Sequence, residues 1–159
     1  MRKTVRICLI VMFSALCAIM TSIFRVPSLT GYTHLGDVAI YVSALLFGSY
    51  VGGFVGGIGS TVADLVVGYP KWYVTVLAHG LQGVIVGTGK DKALSFQIII
   101  AVIGGIVMSL VYWSINIIIF GRALAFGSLI NDLFGQTMVS IIISIPIVKT
   151  VKRIIRERL

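Results

Sequence analysis

Residues 94–120 read LSFQIIIAVIGGIVMSLVYWSINIIIF, a run without one charged side chain. As a helix it would be about 40 Å long, more than the roughly 30 Å hydrocarbon core of a bilayer. A stretch of this kind decides the class: the chain is an all-α integral membrane protein. The rest of the composition agrees. Of the 159 residues, 58% are hydrophobic and 11% charged, and the mean hydropathy is +1.07. Soluble domains carry about 25% charged residues. The length suits one domain, residues 1–159.

At about 20 residues per crossing, the chain has room for six spans. The apolar runs place them near Val5–Phe24, Leu35–Tyr50, Val51–Val67, Trp72–Val86, Leu94–Phe120 and Ala123–Val148. Met1-Arg-Lys before an apolar run could open a signal peptide. No clear cleavage site follows and the run reaches Phe24, so it is read as a retained first helix.

The formal charge of +8, from thirteen Lys and Arg against five Asp and Glu, sets the orientation. Arg2, Lys3 and Arg6 precede the first run, and Lys149, Lys152, Arg153, Arg156 and Arg158 follow the last. Positive residues are retained in the cytoplasm, so both termini are expected inside, with Lys90 and Lys92 beside them. Arg25, Lys71 and Arg122 remain outside, where they would ring a mouth, meet lipid head groups or guide a polar or anionic solute. A nucleic-acid surface would need a basic face with interleaved aromatics. Charges confined to chain ends and short loops imply no nucleic acid.

The remaining inventory is short. Cys8 and Cys17, nine residues apart on one helix, face opposite sides about 13 Å apart and cannot form a disulfide. His34 and His79 are too few for a zinc site of the usual ligand count from one chain. No Walker A lysine loop and no G-x-S-x-G elbow occurs, so no ATP site, catalysis, metal or cofactor is expected. Eleven glycines crowd between Gly48 and Gly89, with Gly52, Gly56, Gly53, Gly57, Gly83 and Gly87 at four-residue spacing. They read as close helix packing. Ser14, Ala18 and Ser22 form a small-residue stripe on the first helix, suited to packing within the chain or to docking another membrane protein.

Once topology is assigned, nearly every polar side chain falls in the outer half: Asp37, Asp64, His79, Gln82, Tyr112, Trp113, Asn116, Asn131, Asp132 and Gln136, with Arg25, Tyr32, His34, Tyr69, Lys71, Tyr73 and Arg122 in the loops. The inner halves are apolar apart from a few serines and the cysteines. A proton relay or channel needs polar groups along its whole route. A polar bowl over an apolar floor can instead bind a solute that partners then move. Plainer readings stand beside this one. Asp37 or Asp132 could cap a helix, and Asp132 could pair with Arg122. His79, Asn131 and Gln136 could bond between helices. Tyr69, Trp72, Tyr73 and Trp113 could anchor at the interface.

Gly31-Tyr-Thr-His-Leu-Gly-Asp37, Leu46-Phe-Gly48, Gly56-Gly-Ile-Gly-Ser60, Ala63-Asp64, Gly68-Tyr-Pro70, His79-Gly-Leu-Gln-Gly83 and Asn131 with Gln136 resemble the substrate-binding S component of energy-coupling factor (ECF) transporters. The branch is that of hydroxymethylpyrimidine, pyridoxine and riboflavin carriers. The resemblance covers roughly residues 14–148. It implies a six-helix vitamin-binding subunit in a prokaryotic cell membrane, docked on a transmembrane coupling protein and two cytoplasmic ATPases. It places the substrate site on residues 30–37, which include His34 and Asp37, and on Tyr73, His79, Gln82, Trp113, Asn116, Asn131 and Gln136. It also favours the docking role for Ser14, Ala18 and Ser22, although serine at two of those positions departs from the usual alanines. Trp113, Tyr73 or Tyr112 would stack on a planar ring. The expected ligand is a small aromatic vitamin or precursor, hydroxymethylpyrimidine or pyridoxine before riboflavin. The rivals are a stand-alone transporter, a small membrane enzyme using Asp37, Asp64 and His79, and a structural assembly protein.

Overall fold

The computed structural model describes residues 2–28 and 30–157, so Arg158 of the basic tail lies outside the described residues. Six helical rods and one hairpin make up the described chain. Helix α1 spans Lys3–Ile23. Strands β1 (Arg25–Ser28) and β2 (Gly31–His34) pair antiparallel, with Arg25 opposite His34. Helix α2 is Asp37–Phe47, α3 is Ser49–Val67, α4 is Trp72–Gly87 and α5 is Leu94–Phe120. The last rod, α6, runs unbroken through Arg122–Ile130, a π-helical stretch Asn131–Met138 and Val139–Glu157.

The second rod differs most from expectation. Where a rod over residues 35–50 was expected, the helix has 11 residues, about 16 Å long. It ends because Gly48 takes φ +93°, a conformation that favours glycine, and α3 starts at the next residue. Every residue of α2 from Asp37 to Leu45 is buried. A helix apolar on all sides needs neighbours all round, and α2 has them. Val38, Tyr41, Val42 and Leu45 pack with Val86, Ala101, Ile141 and Val148, while Ala39 and Ile40 pack with Cys17, Val51 and Val55. The shortest rod is therefore the axis of the bundle.

Lys3–Ile23, Ser49–Val67 and Leu94–Phe120 are long and apolar enough to cross a membrane, while Asp37–Phe47 and Trp72–Gly87 are shorter apolar helices. Large apolar side chains face outward along the rods, including Val11, Met12, Val66 and Ile118, a surface suited to lipid. The hairpin marks one end of the bundle and the two termini the other. Arg2, Lys3, Arg6, Lys90, Lys92, Lys149, Lys152, Arg153 and Arg156 gather at the termini end, the last four on a helical extension of α6 beyond Val148. Cys8 and Cys17 are free thiols.

Glycine sets the closest contact. A Cβ on Gly52 would stand 2.6 Å from the Gly83 backbone oxygen, and one on Gly83 would overlap the Gly52 backbone. Gly56 meets the His79 carbonyl in the same way. Thus α3 and α4 touch backbone to backbone, as the glycine spacing implied. On α1 the inward stripe is Ser14, Cys17 and Thr21, pressed on Gly59, whose added Cβ would lie 2.7 Å from Cys17 Cβ. Ser14 therefore faces the chain's own interior, and Ala18 and Ser22 are half-buried beside it.

Gly83→Ala is expected to lower stability by about 3 kcal/mol or more, because rigid backbone must separate. Gly57→Ala, whose Cβ has no neighbour nearer than 3.6 Å, should be neutral or slightly stabilising. Thermal unfolding of the purified chain in detergent checks both.

Candidate functional site

The site is built on a buried carboxylate. Asp37 begins α2, so its charge lies near the positive end of the helix dipole. The carboxylate stands at the first helical position, with Gly36 at the N-cap before it. Its Oδ2 accepts Gln82 Nε2 at 2.9 Å and Gln136 Nε2 at 3.0 Å, and its Oδ1 lies 3.2 Å from His79 Nδ1. His79 Nδ1 is 2.8 Å from Gln82 Oε1, and Gln82 Nε2 also reaches the Tyr41 hydroxyl at 3.1 Å. Asp37, Tyr41, His79, Gln82 and Gln136 are all at most 2% exposed. The group ties α2, α4 and α6 together below the hairpin.

The π-helical stretch of α6 is what makes this possible. In an α-helix, Asn131 and Gln136 would point about 140° apart. The i→i+5 winding of a π-helix brings them toward one face, so Asn131 Nδ2 donates to Thr33 Oγ1 of the hairpin while Gln136 reaches Asp37.

Above this network the hairpin roofs a cavity of about 30 Å³, lined by residues that include Tyr32, His34, Asp64, Tyr69, His79, Tyr112, Asn116, Ser128, Asp132 and Gln136. That volume holds about two waters. The roof is bonded down. The Tyr32 hydroxyl donates to Asp64 Oδ1, and Lys71 Nζ donates to the Thr30 carbonyl at 2.9 Å and to Asn116 Oδ1 at 2.6 Å. Lys71 is 5% exposed, so it fastens the hairpin from inside and does not stand on the rim as its loop position suggested. Burial pulls its pKa below the ordinary lysine value, and Asp132 and Asp64 oppose that pull.

Of the residues expected at the site, His34, His79, Asn116 and Gln136 line the cavity, and Asp37 and Gln82 sit directly beneath it. Asn131 holds the roof through Thr33. Tyr73 is 55% exposed and Trp113 half-buried, and neither lines this cavity. The aromatic walls are Tyr32, Tyr69 and Tyr112. Tyr32 and Tyr69 meet edge to face with centroids 5.3 Å apart, and Tyr112 meets His79 at 5.8 Å. Asp64 and Asp132 complete the wall. Asp132 accepts Ser128 Oγ at 3.4 Å, and among the described residues no ion pair joins it to Arg122. These carboxylates were visible as outer polar residues; their convergence depends on how α3 and α6 are wound.

His34, Asp37 and His79 also bring three potential metal-ligand atoms within 4.8 Å of one another, a grouping that a count of His and Cys alone overlooked. Hydrogen bonds already occupy much of it. His34 Nδ1 accepts the Gly36 amide at 3.1 Å, and His79 Nδ1 is turned to Gln82 and Asp37. The cluster is organised as a hydrogen-bonded knot.

Fold and cavity together define a mostly helical membrane protein with a polar site under a β-hairpin. The chain matches the family model of the ECF-type riboflavin transporter S component over residues 1–153, and it belongs to that family. An uncharacterized protein in a gap 3' region of Pyrococcus woesei is 41% identical over 111 residues, 68% of this chain and 74% of that protein. The thiamine precursor transporter HmpT of Lactococcus lactis subsp. cremoris is 28% identical over 105 residues, 63% of each chain. A UPF0397 protein of Lactobacillus helveticus is 32% identical over 81 residues, 50% of this chain and 44% of that protein.

Asp37→Ala strands two buried amides and is expected to cost about 3–5 kcal/mol, measured by thermal unfolding in detergent. His34 supplies a pH dependence. Burial pulls its pKa from 6.5 down to about 4, against the opposing charge of Asp37. The unfolded chain then binds the proton more tightly, so the stability due to neutral His34 is complete above pH 6.5 and is lost as pH falls toward 4. Unfolding midpoints taken between pH 7 and 5 should fall. His34→Asn should flatten that slope by up to about 1.4 kcal/mol per pH unit.

Proposed function

We propose that this chain is the membrane-embedded substrate-binding subunit of an ECF-type importer in a prokaryotic cell membrane. It crosses the bilayer six times with both termini in the cytoplasm, as one domain. It captures a small aromatic vitamin or vitamin precursor from outside, hydroxymethylpyrimidine or pyridoxine in preference to riboflavin. A transmembrane coupling protein and two cytoplasmic ATPases would supply the driving force, docking in part on α1 at Ala18 and Ser22, with Ser14 supporting that face from within. Family membership supports the role, and the likeness to a thiamine precursor transporter supports the substrate class.

The observation that carries this reading is the location of the polar cavity. It lies wholly at the hairpin end, walled by three tyrosines and floored by the Asp37 network. Below that floor the axis is Tyr41, Val42, Ala44 and Leu45 packed on Val86, Ala101, Ile141 and Val148, apart from isolated serines. A solute entering from the hairpin end meets a dead end, as suits a subunit that holds cargo for partners to move. The basic residues at the termini end support the orientation. Since about 30 Å³ is too small for a ring, the hairpin must lift to admit one. That breaks the bonds from Lys71 and Tyr32 and between Asn131 and Thr33.

A panel of B vitamins and precursors added to the purified chain tests the reading. Hydroxymethylpyrimidine or pyridoxine at a hundredfold excess over Kd should raise stability by about 2.7 kcal/mol, seen as an unfolding midpoint several degrees higher. Liposomes containing the chain alone should show no uptake. Flux without partners, or indifference to every vitamin tried, would defeat the proposal.

A further inference from the structure

A groove runs down the outside of the α3–α4 pair and shares no lining residue with the cavity under the hairpin. It follows α3 from Ser49 to Val62 and α4 from Val84 to Val76, and it holds about 550 Å³. The stretch from Ser49 to Val62 makes it roughly 20 Å long, somewhat more than half of a hydrocarbon core about 30 Å thick. Gly53, Gly57 and Gly80 lie along its floor. A Cβ on Gly57 or Gly80 would stand no nearer than 3.6 Å to its neighbours. Helix contact therefore does not demand glycine at either position, and the missing side chains are what hollow the groove. Tyr50 and Phe54 build one wall, with ring centroids 4.9 Å apart.

The Ser49 end carries charge. Helix α3 begins there, so the positive end of its dipole lies at the mouth of the groove. The Arg6 guanidinium sits 4.9 Å from the Tyr50 ring centroid, and among the described residues no carboxylate pairs with it. Lys90 reaches the same place: its Cδ would be 3.4 Å from a Cβ on Gly48, the residue before α3. Its ion pair to Asp91, at 3.8 Å, is exposed to solvent and neutralises little. An apolar slot that opens between two cations and a helix N-terminus suits a molecule with an apolar tail and an anionic head.

We propose that an acidic phospholipid of the leaflet at the termini end occupies this groove, with one acyl chain over Gly57 and Gly80 and its phosphate between Arg6 and Lys90. A second copy of the chain is a poorer occupant. Two copies inserted alike would bring like charges together, because the basic residues gathered at that end outnumber Asp91 and Glu157 there. The lipid joins α1, through Arg6, to the rigid α3–α4 pair. Its site is separate from the solute cavity and stands whatever that cavity binds.

Native mass spectrometry of the full chain in detergent tests this with dioleoylphosphatidylglycerol and dioleoylphosphatidylcholine, which differ only in the head group. One phosphatidylglycerol per chain should be retained about 25-fold more tightly than phosphatidylcholine, at about fivefold for each cation. Arg6→Gln together with Lys90→Gln should reduce that preference to less than about threefold. Lys152→Gln, at the same end but off the groove, should leave it unchanged. Gly57→Leu fills the groove and should weaken phosphatidylglycerol retention at least about tenfold. Gly80→Leu carries the same arm if Gly57→Leu does not fold. Equal retention of the two lipids overturns the site, and so does an effect of Lys152→Gln as large as that of the paired Arg6 and Lys90 variant, which would mark diffuse attraction. Retention untouched by a filled groove overturns it as well. A dimer that Gly57→Leu dissolves would assign the groove to a second copy and overturn the proposal.

Discussion

A carboxylate with no access to water stands at the start of the shortest helix, and the rest of the molecule is arranged to satisfy it. Asp37 at 0% exposure would be ruinous alone. Two glutamine amides and a histidine from other rods surround it. Because those partners come from α4 and α6, satisfying Asp37 also fixes how the long rods meet α2. The same atoms form the floor of the cavity, so stability and site geometry rest on one set of bonds. Variants of the floor will therefore disturb folding first.

Much of this was legible in the residue order. Apolar runs announced the rods, glycine spacing announced close helix packing without saying which helices meet, and the outer placement of His79, Gln82, Asn116 and Gln136 announced a polar end. Three features were hidden, each for a physical reason. The second apolar run looked long enough to span because hydropathy does not sense that Gly48 turns the chain. The convergence of Asn131 and Gln136 requires π winding, which no 3.6-residue pattern reveals. Lys71 was assigned to the rim by its loop position, yet its four-carbon stem lets the amine reach inward to Thr30 and Asn116. Tyr73 and Trp113 are site residues by the family resemblance, whereas the aromatic side chains that line this cavity are Tyr32, Tyr69 and Tyr112.

Rigidity is unevenly distributed. The α3–α4 pair, in backbone contact through Gly52, Gly56 and Gly83, behaves as one body because neither helix can slide without collision. The hairpin, by contrast, is attached mainly by side-chain bonds to Asp64, Lys71 and Asn131. The hairpin is therefore the more loosely attached element.

The buried amine of Lys71 gives that closure a particular energetic character. A shut roof strips an ammonium of water and replaces the water with two oxygens of the protein. A lifted roof returns the ammonium to solvent. The shut roof therefore carries the cost of desolvating that ammonium, offset by its bonds to Thr30 and Asn116. The hairpin is thereby held by a bond that depends on water staying out, since solvent reaching Lys71 would compete for the same amine.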